Sequence, residues 1–534
     1  MSKLDIELDA VSCSEGGGPA PDRNQDDRYS SDDALLRRLG KRPMLNRSFG
    51  FMSILGLSCS ALCTWEGILL SSLPSLLTGG PAAVIWGFAV SWIGVASVYI
   101  VIAELSSAAP TAGGQYYWVA LMAPRSCSNF LAYLSGWLTT LAWEATAITT
   151  SYLTATTLQG IAVLANPSYV PQPWQTLLIM WASALFASGI NFTGRFLAQF
   201  EGLILVLHLV GFFGILVPLV YFGQHTDAKP VFEQFYDNGG WSSDALAFLV
   251  GLPSIASTLV GADCAVHMSE EIQSAATVIP KALVYTILIN GTLAFAMVIA
   301  FLFSLTDLEA ASAAAETMFY PFLYVFKSAV KSTAGAVIMA SIIPILAIAS
   351  SIGVYATTSR MIWSFARDKG LPFSKHLVKL TLGSATPIFS ILVSMSISLL
   401  LALIVLGSSV ALSALLSLIV SALYSSYLLV CCLTLWRRCT GFFKPFTTTD
   451  LDDLGQGLRW GPWRVPEPFG TINNVFAILY SIFLLFWSLW PLSTNPTATS
   501  FNWSVLVYGA VVAFSVVWYA VHARRFFKGP IKEV

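Results

Sequence analysis

Twelve apolar stretches, at residues 50–77, 82–103, 130–160, 174–192, 197–222, 246–267, 282–305, 334–363, 387–407, 410–436, 472–490 and 502–522, constrain this chain more than any other feature of it. Each supplies about the ~20 residues that a helix needs to cross a bilayer. In hydrocarbon an unpartnered backbone N–H or C=O costs several kcal/mol, so a spanning segment must satisfy its own backbone. Only 11% of the 534 residues are charged and 56% are hydrophobic, whereas a soluble domain carries roughly 25% charged residues. The reading is an all-α membrane protein of about 12 transmembrane helices. The polar connections, the longest being 222–244, 304–332 and 439–469, are too short to hold a core of their own, so any site lies within the bundle. A net charge of −1 gives no footing for nucleic acid.

Charge placement orients the bundle. Residues 1–47 are polar and without the apolar centre of a signal peptide; they read as a disordered tail to about residue 31, then an amphipathic basic segment with Arg37, Arg38, Lys41 and Arg42. With that tail inside, the inner connections collect fifteen Lys and Arg residues and the outer ones only Lys229, Lys327 and Lys331. The excess of basic residues on one side places both tails, 1–47 and 526–534, in the cytoplasm, with 48–525 as the spanning domain. No Cys falls in an outer connection, so no disulfide framework is expected.

One span is not continuous. Residues 249–267 contain Gly251, Pro253, Ser257, Thr258, Gly261 and Asp263, a composition tolerable at membrane depth only where it lines a polar cavity inside protein. A broken helix at that depth points to a solute site. Span one carries Thr64-Trp65-Glu66-Gly67 near its middle.

The runs Ala103-Glu104 to Pro110-Thr-Ala-Gly113-Gly114-Gln-Tyr-Tyr-Trp118, His267-Met-Ser-Glu270-Glu271 with Pro280-Lys281, and Ser359-Arg360 to Arg367-Asp368-Lys-Gly370 resemble the inner-face signatures of the amino acid-polyamine-organocation (APC) transporter superfamily. Gly79-Gly80-Pro81 and Ser135-Gly136-Trp137 make the chain similar to its fungal amino-acid/choline permease branch. The resemblance covers roughly residues 32–525. It implies a five-plus-five inverted-repeat core, with helices one and six broken at the midplane. It makes Trp65-Glu66-Gly67 the counterpart of the family's glycine-rich break, and it marks Trp65, Trp143 and Tyr355 as pocket-facing. At the family's aromatic gate in span six this chain has Ser257-Thr258, which favours hydroxyl recognition or a larger solute.

Glu66, Glu144 and Asp263 are acids within spans, where even lenient scales charge about 2.5–3.5 kcal/mol for an ionised group. Each is read either as a counter-charge or proton carrier, or as a structural acid bonded to nearby hydroxyls. Trp143 and Glu144, adjacent on one helix, cannot face the same way. Aromatics beside acids suit a protonated or quaternary amine held by cation–π attraction, although most of the 69 Trp, Tyr and Phe residues are packing or interfacial groups. His267, Glu270 and Glu271 fit an inner-gate ion-pair network with Arg367 better than a metal site, since only one His is present there. Glu104, at the inner end of span two, reads as structural or as part of that gate.

The expected function is a secondary active permease for a small nitrogenous solute, such as an amino acid, GABA, choline or a related amine. It works by alternating access, and the half-helix N-termini present free N–H groups to a substrate carboxylate. The resemblance implies proton symport across a fungal plasma membrane, with no cofactor and no metal. The alternative is a non-transporting nutrient-sensing receptor of the same fold; no nucleophile or acid–base constellation supports an enzyme. Reporter fusions after Asp450 and after Gly223 are expected to label opposite sides of the membrane. Finding both on one side would overturn the span assignment.

Overall fold

A computed structural model of the chain describes residues 23–193, 197–381, 384–445, 458–497 and 501–533. The start of the amino-terminal tail, the Asp450 fusion point and Val534 lie outside those residues. Among the described residues every regular element is helical, and eleven helices are long and apolar enough to cross a membrane. The third expected span is also one helix, Ser128–Ala165. Its Thr and Ser residues, with Glu144 and Gln159, leave it less apolar than the other eleven. Hydroxyls within it return to their own helix, as Thr140 to Gly136 O at 2.7 Å and Thr157 to Leu153 O at 2.6 Å, which is how a helix carries polar side chains through an apolar layer. A helix over Arg23–Arg38 begins ahead of the amphipathic segment expected from residue 32.

Both expected breaks are present, one of them displaced from its sequence reading. Span one is two helices, Phe51–Leu62 and Thr64–Ser71, separated by Cys63 in the left-handed region (φ 46, ψ 47). Trp65, Glu66 and Gly67 are therefore not the break; they form the first turn of the second half. Span six runs Asp244–Ala256, a tight turn over Ser257–Leu259, an extended crossing at Val260, Gly261 at φ +129, and a short helix Cys264–His267. Pro253, within the first half, removes one backbone donor before the helix gives out.

The two breaks lie against each other. A Cβ on Gly67 would stand 3.3 Å from the Thr258 Cβ, and one on Gly261 would stand 3.3 Å from the Ala61 carbonyl. Glycine at both positions lets the turn of span six approach span one without displacing either neighbour, and Gly261 also supplies the positive φ. The backbone groups freed at the crossing are satisfied by one side chain from span two (Leu73–Ala108). Tyr99 Oη accepts from Gly261 N (2.9 Å) and Ala262 N (3.2 Å) and donates to Leu259 O (3.3 Å). The amides at the span-six break, expected to be free for a substrate carboxylate, are thus already partnered.

Around this pair pack long helices. Ser128–Ala165 lies along Thr333–Arg367, Leu73–Ala108 lies along both Asp244–Ala256 and Ala275–Ser304, and Leu197–Phe222 lies along Phe51–Leu62. Segments 39–49 and 526–533 meet at the same end of the bundle, termed the tail end below. Replacing Tyr99 with Phe leaves the Gly261 and Ala262 amides without their acceptor, at a cost of about 1–3 kcal/mol for burying an unsatisfied group. The melting midpoint of purified protein is expected to fall; an unchanged midpoint would show that the crossing does not depend on this hydroxyl.

Candidate functional site

The second half of span one places Glu66 at the centre of the bundle, 1% exposed. Its Oε1 lies 2.7 Å from His208 Nδ1, on the fifth span Leu197–Phe222. Glu66 Oε2 and His208 Nε2 are buried without hydrogen-bond partners, so the pair has one unused acceptor and one unused ring nitrogen. Trp65 closes one side, its ring 5.6 Å from His208 and 6.0 Å from Phe212. Two turns below His208 on the same helix face, Glu201 accepts from Ser60 Oγ at 3.2 Å, and its Oε1 too is unpartnered.

Neither His208 nor Glu201 emerges from reading the sequence, because span five looks like an uninterrupted apolar run. The available signal is their seven-residue spacing, which puts both on one stripe facing span one.

Cys63, Gly67 and Ser71, each one turn further along the second half of span one, are partly accessible among buried neighbours; so are Ser254 and Ser257 on span six. These residues run from the breaks toward the end of the bundle away from the tails. Ser257 and Thr258 direct their hydroxyl protons to Ser254 O and Ile255 O, both at 2.7 Å, leaving oxygen lone pairs as acceptors.

Asp263 stands on the tail side of the crossing. Its Oδ2 accepts from Gln115 Nε2 at 2.7 Å and lies 3.8 Å from His267 Nε2. His267 Nδ1 is 3.0 Å from Ala112 O, and its ring meets Trp143 edge-on at 5.9 Å. Trp143 thus faces the tail half of span six. Glu144, the next residue, faces the other way, toward Ser394 of the ninth span, which lies beside it outside hydrogen-bonding geometry. Tyr355 is likewise turned toward Ser398, Ser151 and Glu144. Gly353, two positions earlier and on the opposite face of span eight, is the residue that meets Leu57 and Glu201. Trp65, Trp143 and Tyr355 therefore occupy three separate packing environments.

At the tail end the acids are matched. Arg367 grips Glu270 through both terminal nitrogens (2.6 and 2.9 Å), while Arg360 grips Glu271 (2.7 and 3.3 Å). Arg360 and Arg367 are seven residues apart on one face of span eight, so two adjacent acids of span six meet two stacked guanidinium groups. Arg360 is the partner that the sequence reading did not assign. Asp368 is ion-paired to Lys41 and accepts from Tyr116 Oη at 2.8 Å. Glu104 is ion-paired to Arg438 and accepts from Val465 N at 3.0 Å, which ties span two to the segment before span eleven.

Two apposed broken helices, a buried acid–imidazole pair beside them and a ring of ion pairs across one end define a multi-pass membrane transporter. The comparisons agree. The family model for amino acid permeases matches residues 49–511, and the chain belongs to that family. It is 28% identical over 486 residues to the choline transporter of Saccharomyces cerevisiae, covering 90% of this chain and 83% of the relative. It is 28% identical over 508 residues to an uncharacterized amino-acid permease of Schizosaccharomyces pombe (93% and 84%), and 24% identical over 510 residues to amino-acid permease 2 of Neurospora crassa (94% and 89%). The chain is a transporter and not an enzyme.

Glu270→Gln breaks one buried ion pair, which costs about 3–5 kcal/mol when a single partner is removed. It does so away from the Glu66 pair, across the Asp263 and His267 layer. Turnover is expected to slow while the affinity measured from the opposite side changes little. An unchanged maximal rate with strongly weakened affinity would contradict this division.

Proposed function

We propose that the protein is a proton-coupled permease of the plasma membrane, carrying a small solute with an amine nitrogen by alternating access, and that both tails face the cytoplasm. The observation that carries the reading is Glu66: a buried carboxylate at the junction of two broken helices, half occupied by His208, with Oε2 unused. A charge at this depth needs a partner, and a protonated or quaternary amine beside Trp65 supplies one, with cation–π attraction of about 0.5–2 kcal/mol from the ring. The printed names of the relatives, choline transporter and amino-acid permease, share that nitrogen.

His208 and Glu66 lie 2.7 Å apart, and Glu201 and Ser60 continue the polar stripe toward the tail end. This stripe is the proposed route of the coupled proton. The partly accessible residues Cys63, Gly67, Ser71, Ser254 and Ser257 line the approach of solute from the outside. Access from the cytoplasm then requires the Glu270–Arg367 and Glu271–Arg360 pairs to part.

The test is radiolabelled uptake in a permease-deficient yeast, comparing choline, GABA, neutral and basic amino acids and polyamines in wild type and Glu66→Gln. Removing one partner of a buried charge pair costs roughly 2–5 kcal/mol. Affinity for the transported cationic solute is therefore expected to fall by about 30-fold or more, and neutral solutes are to suffer less. His208→Gln is expected to keep exchange but lose accumulation driven by a pH gradient. A Glu66→Gln protein with normal affinity, accumulation and pH profile would leave the proposal without support.

A further inference from the structure

Segment 526–533 does more than trail from the last span. Phe527 is fully buried, its ring 5.4 Å from Tyr133 and 5.9 Å from Phe365, so the segment is pinned beneath spans three and eight. Beyond it, Ile531 N donates to Asp368 Oδ1 at 2.8 Å, on the same oxygen that holds Lys41. Glu533 then makes four contacts. Its Oε1 lies 3.5 Å from Arg367 Nε, its Oε2 accepts from Arg42 N at 2.8 Å, its carbonyl accepts from Arg42 Nε at 3.0 Å, and its amide donates to Gly40 O at 2.8 Å.

Arg367 is consequently shared: its terminal nitrogens face Glu270 and its Nε faces Glu533. Lys41 and Arg367 thus meet Asp368, Glu270 and Glu533, while Arg42 holds Glu533 through its main-chain amide and through Nε to the Glu533 carbonyl. The strap that carries Lys41 and Arg42 leads directly into span one, where Phe49 N and O bond Glu271 O and Gln273 N, both at 3.0 Å. Separating the first half of span one from span six must pull this strap away from span eight. Segment 526–533 bonds both and resists that separation.

We infer that segment 526–533 is a working part of the tail-end gate, with Glu533 and the Ile531 amide as positioning groups that hold strap 39–47 and the end of span eight closed over Glu270. Releasing the segment raises the share of molecules open at that end. The inference rests on the gate reading above but not on the identity of solute or coupling ion.

Cys264 reports the gate. It is buried in the second half of span six against the first half of span one, its sulfur 3.8 Å from Ser58 Oγ. In the full-length protein, the alkylation rate of Cys264 by a small maleimide, read at that residue by peptide mass spectrometry, is expected to rise by roughly 5-fold or more in Glu533→Gln. Ile531→Pro, which removes the amide donor without touching a charge, is expected to act in the same direction, and Glu533→Asp to restore most of the wild-type rate. Cys431, buried in the tenth span away from the gate, is expected to stay unreactive throughout. An unchanged Cys264 rate in both Glu533→Gln and Ile531→Pro, while Arg367→Gln raises it, would overturn the inference. So would an equal rise at Cys431, because the segment would then hold the whole bundle together and not the gate.

Discussion

A single hydroxyl, that of Tyr99, permits the feature on which the rest of the molecule depends. Two helices stop inside the apolar layer, where each unmet backbone group costs several kcal/mol. At the span-six crossing Tyr99 takes two amides and one carbonyl. With the backbone settled in this way, span six can change direction at Gly261, and the Ser257–Leu259 turn can rest on Gly67 of span one. The same arrangement divides the bundle into levels: Glu66 with His208 beside the junction, Asp263 with Gln115 and His267 below it, and the Arg–Glu pairs at the tail end. It also removes the span-six amides as ligands for a carboxylate.

The ionic layer at the tail end works as a unit. A buried ion pair is poor evidence of added stability, because desolvation offsets much of the attraction. A set of pairs that bridges several elements has a different consequence, since it can be made or broken only together. Spans six and eight, strap 39–47 and segment 526–533 all meet there. In the proposed mechanism this layer parts as a unit when the tail end opens, as admission of solute from one side at a time requires.

The sequence disclosed these features unevenly, for physical reasons. The break in span six was legible because Pro253, Gly251 and Gly261 are poor helix residues in an apolar run. The break in span one sits at Cys63, a non-glycine residue in a left-handed conformation that sequence does not signal, whereas the sequence points to Trp65-Glu66-Gly67, which carries the nearby glycine. Glu270 and Glu271 are visible as two charges beside a span; the pairing of Glu271 with Arg360 follows only once helical spacing puts Arg360 and Arg367 on one face. His208 and Glu201 were hidden because hydropathy averages over a span, and two polar residues seven apart scarcely dent it. Directions within the bundle were the least accessible. Trp143 and Glu144 part company as helical geometry requires, but which of them faces span six is decided by tertiary packing, as is the turn of Tyr355 toward span nine.

The most direct measurement is a single-particle structure of the protein with its transported solute bound. The solute is expected at the junction of the two broken helices, its nitrogen in contact with the Glu66 carboxylate and the Trp65 ring, with Thr258 alongside. Solute lodged elsewhere, for instance in the ~350 Å3 cavity lined by Tyr152, Gln172 and Phe319, with the Glu66–His208 pair undisturbed, would contradict the placement of the site.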